Sequence, residues 1–357
     1  MTAAAAVPAR ATDGRIAPVL ILSTGRCGST MISALLNQHP QVLSLSEFFV
    51  PLGPAAFTGA RRDGAWMWDL FSRQSPALHA MLKDGEVVDE MLYPLGQPGA
   101  RYRAADIPPI AMVTLPHLTD QPDALFDELA PIIRQRPAMP LAAQYQGLFD
   151  HLMARFGRRV WVERSGGSLM VAAKLLHLFP DARVIHVYRD GRDTAMSMAH
   201  HHNFRVLVGA MKASRRFGID GFRPLHQPRG RMLDVWLQQL IFPRLNVRRL
   251  AGDVTLADLG DFWSRMILLG RQVFADLAPD RLLSLKFEDV QQSPHETLRR
   301  MIRFIDPSLD DAGWLDTVAR IPKPARSKFT TLPPDTRAAL TAACAPGLAA
   351  LGYPLEG

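Results

Sequence analysis

The sequence predicts an α/β fold in which a central parallel sheet is flanked by helices. Short apolar segments at residues 16–23, 42–45, 159–162, 183–188 and 282–286 alternate with segments of helical periodicity. Strands that alternate with helices typically form parallel sheets. The 357 residues are 48% hydrophobic, which is enough for a large core. We expect one domain over residues 16–357, preceded by a flexible tail at residues 1–15.

The expected helices follow from apolar spacing and from signals at their ends. The first follows the first strand over residues 29–38 and stops at His39-Pro40, and another over residues 141–156 stops at Gly157. Pro294 suits the first position of a helix that runs to about residue 305. Further helices are expected at residues 168–178, from about residue 193, and at residues 259–277.

Two long stretches, residues 51–139 and 203–256, lack a steady period. The first is rich in Pro, Gly and Trp, and the second in Arg, with Gly and Pro interspersed. We expect irregular structure with short helices in the first, and one helical patch at residues 234–240 in the second. Long insertions in compact domains are often functional, so both are expected to contribute to substrate binding.

Net charge and cysteine content narrow the functional classes. The formal net charge is +7 and the pI is near 9.8, which favours anionic partners, although a solvated basic surface has the same charge. Cys27 and Cys344 form neither a metal pattern nor a disulfide framework, which is typical of a reducing cytoplasm. The sequence shows no signal peptide and no apolar run of membrane-spanning length, so a soluble cytoplasmic protein is expected.

A phosphate-binding loop is predicted between the first strand and the first helix. The loop has free backbone amides, a helix N-terminus, hydroxyl donors and a fixed positive charge, all of which suit an anion. Gly25 and Gly28 are expected to let the backbone approach the ligand closely. The predicted ligand-binding residues are Gly25, Arg26, Cys27, Gly28, Ser29 and Thr30. The loop lacks the lysine of a GxxxxGK[ST] motif, so a nucleotide triphosphatase of that type is not expected.

A second anion site is predicted after the strand at residues 183–188. Arg189 lies at the carboxyl end of that strand, where ligands of open α/β sheets bind, and Ser197 follows about two helical turns later. A guanidinium and a hydroxyl suit a phosphate monoester. The alternative is a structural ion pair between Arg189 and Asp193.

Together these motifs resemble those of the sulfotransferases that use 3′-phosphoadenosine 5′-phosphosulfate (PAPS). The loop Gly25-Arg-Cys-Gly-Ser-Thr30 resembles the family's 5′-phosphosulfate loop, and Arg189 through Ser197 resembles its 3′-phosphate motif. Residues 283–290, followed by Ser293-Pro294, resemble its late strand–helix element. The nearest subgroup by motif is that of the bacterial and tyrosylprotein sulfotransferases. The resemblance implies PAPS at the carboxyl edge of the sheet and direct in-line transfer without a metal.

The resemblance also implies catalytic roles for three residues. Arg26 falls where the family has Lys or Arg beside the sulfuryl group, and Arg164 falls where many members have a catalytic Lys. Glu47 matches the base of the tyrosylprotein-like enzymes, whereas the catalytic His of the cytosolic subgroup is replaced by Gly166. Two arginines suit transition-state charge, and a carboxylate suits removal of the acceptor proton. The alternative for Glu47 is a surface or capping glutamate.

Other features have simpler interpretations. The histidines at 200–202 could bind a metal or line the acceptor pocket, but they have no second ligand cluster, so no metal site is expected. Cys27 is either a reactive thiol or a small residue that fits. Arg326, Ser327 and Lys328, in a basic segment, are expected either to fold over the 3′-phosphate or to form a solvated loop.

The expected acceptor is a small molecule, glycan or lipid with a hydroxyl or amine, and nucleic acid is not an expected partner. Two other classes remain open: a P-loop kinase or phosphotransferase, and a non-catalytic protein that binds nucleotide or nucleic acid.

Overall fold

The computed structural model describes residues 15–82, 90–241, 247–324 and 327–355. The predicted tail at residues 1–15 therefore lies outside the described residues except for Arg15. The strands are β1 (Val19–Ser23), β2 (Val42–Ser46), β3 (Arg61–Arg62), β4 (Met139–Pro140), β5 (Val160–Arg164), β6 (Arg183–Tyr188) and β7 (Leu282–Lys286).

The helices of the first half are α1 (Ser29–Asn37), α2 (Phe49–Leu52), α3 (Gly64–Ser72), α4 (Pro76–Leu82), α5 (Pro109–Met112), α6 (Thr114–Leu118), α7 (Pro122–Arg134), α8 (Leu141–Phe156) and α9 (Ala172–Leu178). Those of the second half are α10 (Gly191–Ala199), α11 (His202–Arg215), α12 (Met232–Ile241), α13 (Val247–Gly252), α14 (Leu256–Phe274), α15 (Phe287–Gln292), α16 (Pro294–Ile305), α17 (Ala312–Val318) and α18 (Pro334–Leu351). Short 3₁₀ turns include Pro54–Phe57, Ser168–Val171 and Arg223–His226.

Five strands form one parallel sheet in the order β2-β5-β1-β6-β7. Val19 at the start of β1 lies opposite Val162 of β5 on one side and Arg183 of β6 on the other. The strands β2 and β5 therefore lie on one side of β1, and β6 and β7 lie on the other. The direction in which successive strands are added to the sheet thus reverses at β1. Ligands of open α/β sheets bind at such a point, beyond the carboxyl ends of the strands. This places the loop after β1 between the carboxyl ends of β5 and β6.

Both faces of the sheet are buried, because helices cover each side. Leu20 and Leu22 of β1 pack into one apolar cluster, whereas Val19 and Ile21 pack into a second. This alternation follows from the two-residue period of a strand, and burial on both faces is typical of parallel sheets. The predicted α/β fold with a helix-flanked parallel sheet is confirmed.

Most predicted elements coincide with those of the structure. The strands β6 and β7 and the helices α8 and α16 have the predicted bounds. The strand β5 ends two residues later than predicted, at Arg164. The helix predicted at residues 168–178 consists of a 3₁₀ turn, Ser168–Val171, followed by α9.

The two unpatterned stretches are more helical than predicted. The first contains α7, which has 13 residues, and the second contains α11 and α13 in addition to the predicted patch, which is α12. The helices α11 and α13 pack against each other, and α12 lies against α4 and the turn Pro54–Phe57. Across the described part of the chain, no helix is both long and apolar enough to cross a membrane.

Candidate functional site

The loop between β1 and α1 has the backbone geometry of an anion-binding turn. Gly25, Arg26 and Gly28 all have positive φ values, of 76°, 56° and 84°. Within the part of the chain that the structure describes, no atom accepts a hydrogen bond from the backbone amides of residues 26–30. These amides lie at the N-terminus of α1, whose dipole favours negative charge. The loop can therefore receive a phosphate or sulfate group.

Aromatic side chains explain the two glycines of this loop. A Cβ atom on Gly25 would lie 2.5 Å from Cζ of Phe204, and one on Gly28 would lie 2.0 Å from Cε2 of Phe287. Close approach of a ligand is the reason that the sequence predicts for both glycines. The structure shows that the neighbouring rings also require them, on top of the positive φ values.

The side chain of Cys27 faces the core. It is fully buried, and its Sγ donates a hydrogen bond to the carbonyl of Val187 at 3.4 Å. Of the two interpretations, the small residue that fits is the one that matches this position. Any contact of Cys27 with a ligand is thus limited to its backbone amide.

Arg164 connects the phosphate loop to the end of β2. Its Nε donates to Oγ of Ser29 at 3.0 Å, and its Nη2 donates to Oγ1 of Thr30 at 2.5 Å. Its Nη1 donates to Oε1 of Glu47 at 2.5 Å. The Arg164 side chain is only 2% exposed, so its charge is held rigidly in place. Arg164, Glu47 and the phosphate loop, which were all predicted to belong to the site, are thereby brought together.

Glu47 is held in an unusual backbone conformation directly after β2. Its φ of 52° is rare for a residue other than glycine, and such conformations cluster at functional sites. Thr114 fixes the turn by donating from Oγ1 to the carbonyl of Ser46 at 2.8 Å and to that of Glu47 at 3.2 Å. The amide of Gly166 donates to Oε1 of Glu47 at 2.9 Å. Glu47 is therefore not a surface or capping residue.

Burial raises the pKa of Glu47, although the charge of Arg164 and the hydrogen bond from Gly166 oppose this effect. Desolvation disfavours the ionised carboxylate and so makes it a stronger base than an exposed one. Its side chain is 12% exposed, so the carboxylate is not completely enclosed.

Arg26 joins the phosphate loop to the second predicted anion site. Its Nε donates to Oγ of Ser197 at 3.2 Å. Its Nη1 donates to Oε1 of Glu90 at 2.7 Å, and Nε2 of His201 donates to Oε2 of the same carboxylate at 2.8 Å. Burial opposes ionisation of Glu90, but His201, Arg26 and Arg164 outweigh it and lower its pKa to about 2.

Sequence reasoning missed Glu90 and His201 as members of this cluster. Glu90 lies in the unpatterned stretch at residues 51–139, where no spacing or motif distinguishes it. His201 belongs to the histidine run, which was weighed as a metal or acceptor site. Within the described ranges, no group of three or more His, Cys, Asp or Glu side chains could hold a metal ion.

Residues predicted to bind a 3′-phosphate meet around Asp193. Arg189 lies 3.6 Å from Oδ2 of Asp193, so the structural ion pair considered as the alternative is present. Oδ1 of Asp193 accepts from Oγ of Ser327 at 3.0 Å and from the amide of Lys328 at 3.1 Å. Arg326 lies outside the described residues. The segment containing Ser327 and Lys328 therefore lies against the helix that begins after Arg189.

Two further polar side chains hold backbone segments in place. Glu288 accepts a hydrogen bond from the amide of Asp190 at 2.9 Å and another from the hydroxyl of Tyr353 at 3.0 Å, so it supports the turn after β6. His39 is buried, and its two ring nitrogens contact the carbonyl of Leu309 and the amide of Gln41. Both side chains therefore have structural roles.

The helix-flanked parallel sheet and the anion-binding loop at its carboxyl edge define an α/β protein with an anion-binding site. Sequence models of the sulfotransferase family and of the sulfotransferase domain match residues 18–234 and residues 171–321, respectively. The chain therefore belongs to the sulfotransferase family, and it is a sulfotransferase. None of the curated proteins compared with the chain matches it.

Several solved sulfotransferase structures are similar to this chain. The sulfotransferase domain of the Synechococcus PCC 7002 olefin synthase is 16% identical, with 92% of this chain and 94% of that one covered and a TM-score of 0.38. A sulfotransferase from Alicyclobacillus acidocaldarius is 16% identical, with 94% of each chain covered and a TM-score of 0.40. Another from Mycobacterium avium is 15% identical, with 97% of this chain and 79% of that one covered and a TM-score of 0.42.

Proposed function

We propose that this sulfotransferase transfers a sulfuryl group from PAPS to an acceptor hydroxyl or amine, with Glu47 as the base. The observation that carries this proposal is the 3.2 Å contact between Nε of Arg26 and Oγ of Ser197. It makes the phosphate loop and the second anion site neighbours. A nucleotide with anionic groups at both its 5′ and 3′ positions fits two adjacent anion sites.

The donor would be held by residues of both sites. The amides of residues 26–30 and the side chains of Arg26 and Thr30 would hold the 5′-phosphosulfate. Arg189 and Ser197 would hold the 3′-phosphate, and Ser327 and Lys328 lie close enough to Arg189, across Asp193, to contribute. PAPS supplies an activated sulfuryl group whose leaving oxygen belongs to a phosphate and is therefore a weak base. Consequently no residue has to protonate the leaving group.

The acceptor side of the reaction depends on Glu47. As the acceptor oxygen forms its bond to sulfur and the sulfur–phosphate oxygen bond breaks, the acceptor proton would pass to the Glu47 carboxylate. The raised pKa of this carboxylate improves its basicity. Arg164 orients the carboxylate through its 2.5 Å hydrogen bond and adds positive charge beside the loop.

The proposal also covers the role of a metal, the position of the base in the fold and the number of domains. In the proposed reaction, arginine side chains take the place of a metal ion. They can do so because in-line transfer spreads negative charge over the equatorial oxygens of the sulfuryl group, and arginine stabilises that charge. A glutamate base after the second strand is the feature shared with the bacterial and tyrosylprotein-like subgroup. One domain would contain the whole site, with residues 51–139 and 203–256 on the acceptor side.

Transfer can be tested directly with isotopically labelled PAPS and a panel of sugars, lipids, phenols and peptides. Mass spectrometry should detect an added sulfate on one class, and the reaction should persist in EDTA. ATP under the same conditions should give no phosphorylated product. Loss of activity in EDTA that magnesium restores, or transfer from ATP, would support the kinase alternative instead.

A further inference from the structure

The positive charge of this protein is concentrated in one segment. Residues 203–256 contain nine arginines, one lysine and three aspartates, so their formal charge is +7. The whole chain also has a charge of +7, which leaves 31 basic and 31 acidic residues elsewhere. The remainder is therefore formally neutral, so the net positive charge of the chain lies in this segment.

The same segment exposes a row of large apolar side chains on α12. Met232, Leu233, Trp236 and Leu237 are 61%, 51%, 56% and 37% exposed. Their spacing places them on one side of the helix, because residues three to four apart are neighbours on a helix surface. Asp234 and Val235, between them in sequence, are half-buried. The helix thus turns its apolar side outward, the reverse of what burial in a core would produce.

Exposed arginines accompany these side chains. Arg216, Arg223 and Arg248 are exposed, and none of them takes part in an ion pair within the described residues. Arg216 stands next to Phe217, which is 83% exposed, and three residues before Ile219, which is 61% exposed. Apolar groups interspersed with unpaired arginines differ from an ordinary solvated basic face, which lacks the apolar groups.

We propose that the described parts of this segment, residues 203–241 and 247–256, dock on the surface of an anionic lipid bilayer, with the exposed side of α12 entering the interface. An interfacial helix inserts Trp and Leu into the acyl boundary while neighbouring arginines contact anionic headgroups. Both requirements are met in this segment, whereas a nucleic acid would satisfy the arginines but leave the apolar row in water. A second copy of this chain would bury the apolar row but bring two positively charged segments together.

Docking would hold the proposed active site near the membrane. Phe204, near the start of α11, contacts Gly25 of the phosphate loop. Phe217 follows the end of the same helix, about 20 Å away at 1.5 Å per residue. An enzyme docked in this way would meet amphiphilic acceptors at the membrane surface.

Co-sedimentation of the full chain with vesicles tests this proposal without any acceptor. Vesicles of phosphatidylcholine alone are compared with vesicles that contain 30% phosphatidylglycerol, each at low and high salt. The protein should bind the anionic vesicles, and high salt should weaken binding because it screens the charges. Absence of binding to anionic vesicles, or equal binding to both kinds, would overturn the proposal.

Matched variants separate the apolar and the charged contributions. Leu233→Gln with Trp236→Gln should weaken vesicle binding about tenfold or more, whereas Leu355→Gln, at a residue 47% exposed elsewhere, should leave it unchanged. Arg248→Gln should weaken it about fivefold, whereas Arg320→Gln, also exposed but outside the segment, should not.

Circular dichroism confirms that each variant is folded. Equal effects of the matched variants would contradict docking through α12. Light scattering that shows a dimer, dissociated by Leu233→Gln with Trp236→Gln, would identify a second copy as the occupant and overturn the proposal.

Discussion

Arg164 and Glu47 form a buried ion pair across two adjacent strands, with 2.5 Å between Nη1 and Oε1. The two residues end β5 and follow β2, and Ser46 lies opposite Arg164 in the sheet register. The amide of Glu47 also donates to the carbonyl of Arg164 at 2.7 Å, so backbone and side chains fix the same geometry. The proposed base and its cationic partner are therefore positioned by the sheet itself.

Arg164→Ala should lower the free energy of unfolding by about 3 kcal/mol, because it leaves the Glu47 carboxylate buried without its partner. Adding Glu47→Gln to this variant should recover part of the loss, since the uncompensated charge is then removed. Urea denaturation of the two single variants and the double variant measures the coupling. Strictly additive losses would show that the pair contributes nothing specific to stability.

Arg189→Ala should weaken binding of PAPS and of adenosine 3′,5′-bisphosphate alike, by about 10- to 100-fold. The proposed contact is to the 3′-phosphate, which the reaction leaves unchanged. Losing this contact should therefore weaken the binding of substrate and product equally. Isothermal titration calorimetry with the bisphosphate measures it, and Arg320→Ala is the control. Unchanged affinity in Arg189→Ala would leave Arg189 as only the ion-pair partner of Asp193.

Much of the site could be predicted because its parts lie on short, local patterns. The phosphate loop and the residues after β2, β5 and β6 each follow an apolar run, and strands in one parallel sheet bring their carboxyl ends to one edge. That rule places at one edge the residues Arg26, Glu47 and Arg164, which the resemblance singled out. Arg164 donates hydrogen bonds to Glu47 and to Ser29 and Thr30 of the phosphate loop, so these parts do lie together, although the roles of the three residues in catalysis stay predictions.

The remaining parts depend on long-range contacts that no local pattern encodes. Glu90 reaches Arg26 and His201 from a stretch without periodicity. The helix α11 was missed because its glycine was interpreted as a sign of irregular structure. A Cβ on Gly209 would lie 2.1 Å from the carbonyl oxygen of Leu250, so this glycine allows α11 and α13 to approach closely.

Glu90→Gln should tighten binding of adenosine 3′,5′-bisphosphate about 5- to 50-fold. The Glu90 carboxylate, with its pKa of about 2, is ionised beside the loop and repels an anionic ligand, whereas the amide does not. Calorimetry against the exposed control Glu296→Gln measures the change. Weaker binding in Glu90→Gln would mean that its main effect is to hold Arg26 in position.

Glu163→Gln should make stability less dependent on pH. Burial raises the pKa of Glu163 to about 7 in the folded protein, above its ordinary value of 4.5. The folded state therefore binds the carboxyl proton of Glu163 more tightly than the unfolded chain does. The stability that this protonated carboxyl contributes is lost as the pH rises from about 4.5 through 7. Relative to the parent, the variant should gain about 3 kcal/mol of stability over that range.

Denaturation by urea at pH 5 and pH 8 checks this expectation, with the exposed Glu296→Gln as the control. A constant difference between Glu163→Gln and the parent at both values would show that Glu163 does not titrate in this range.

The most direct test of the proposed mechanism is the pH dependence of kcat in the parent and in Glu47→Gln, on an acceptor identified with labelled PAPS. The parent rate should fall at acidic pH as the carboxylate becomes protonated, and the raised pKa places this fall above that of an ordinary glutamate. Glu47→Gln should bind the nucleotide normally, lose about 10²- to 10⁴-fold in kcat, and lack the acid limb. Near-normal turnover in Glu47→Gln, or an unchanged acid limb, would contradict the assignment of Glu47 as the base.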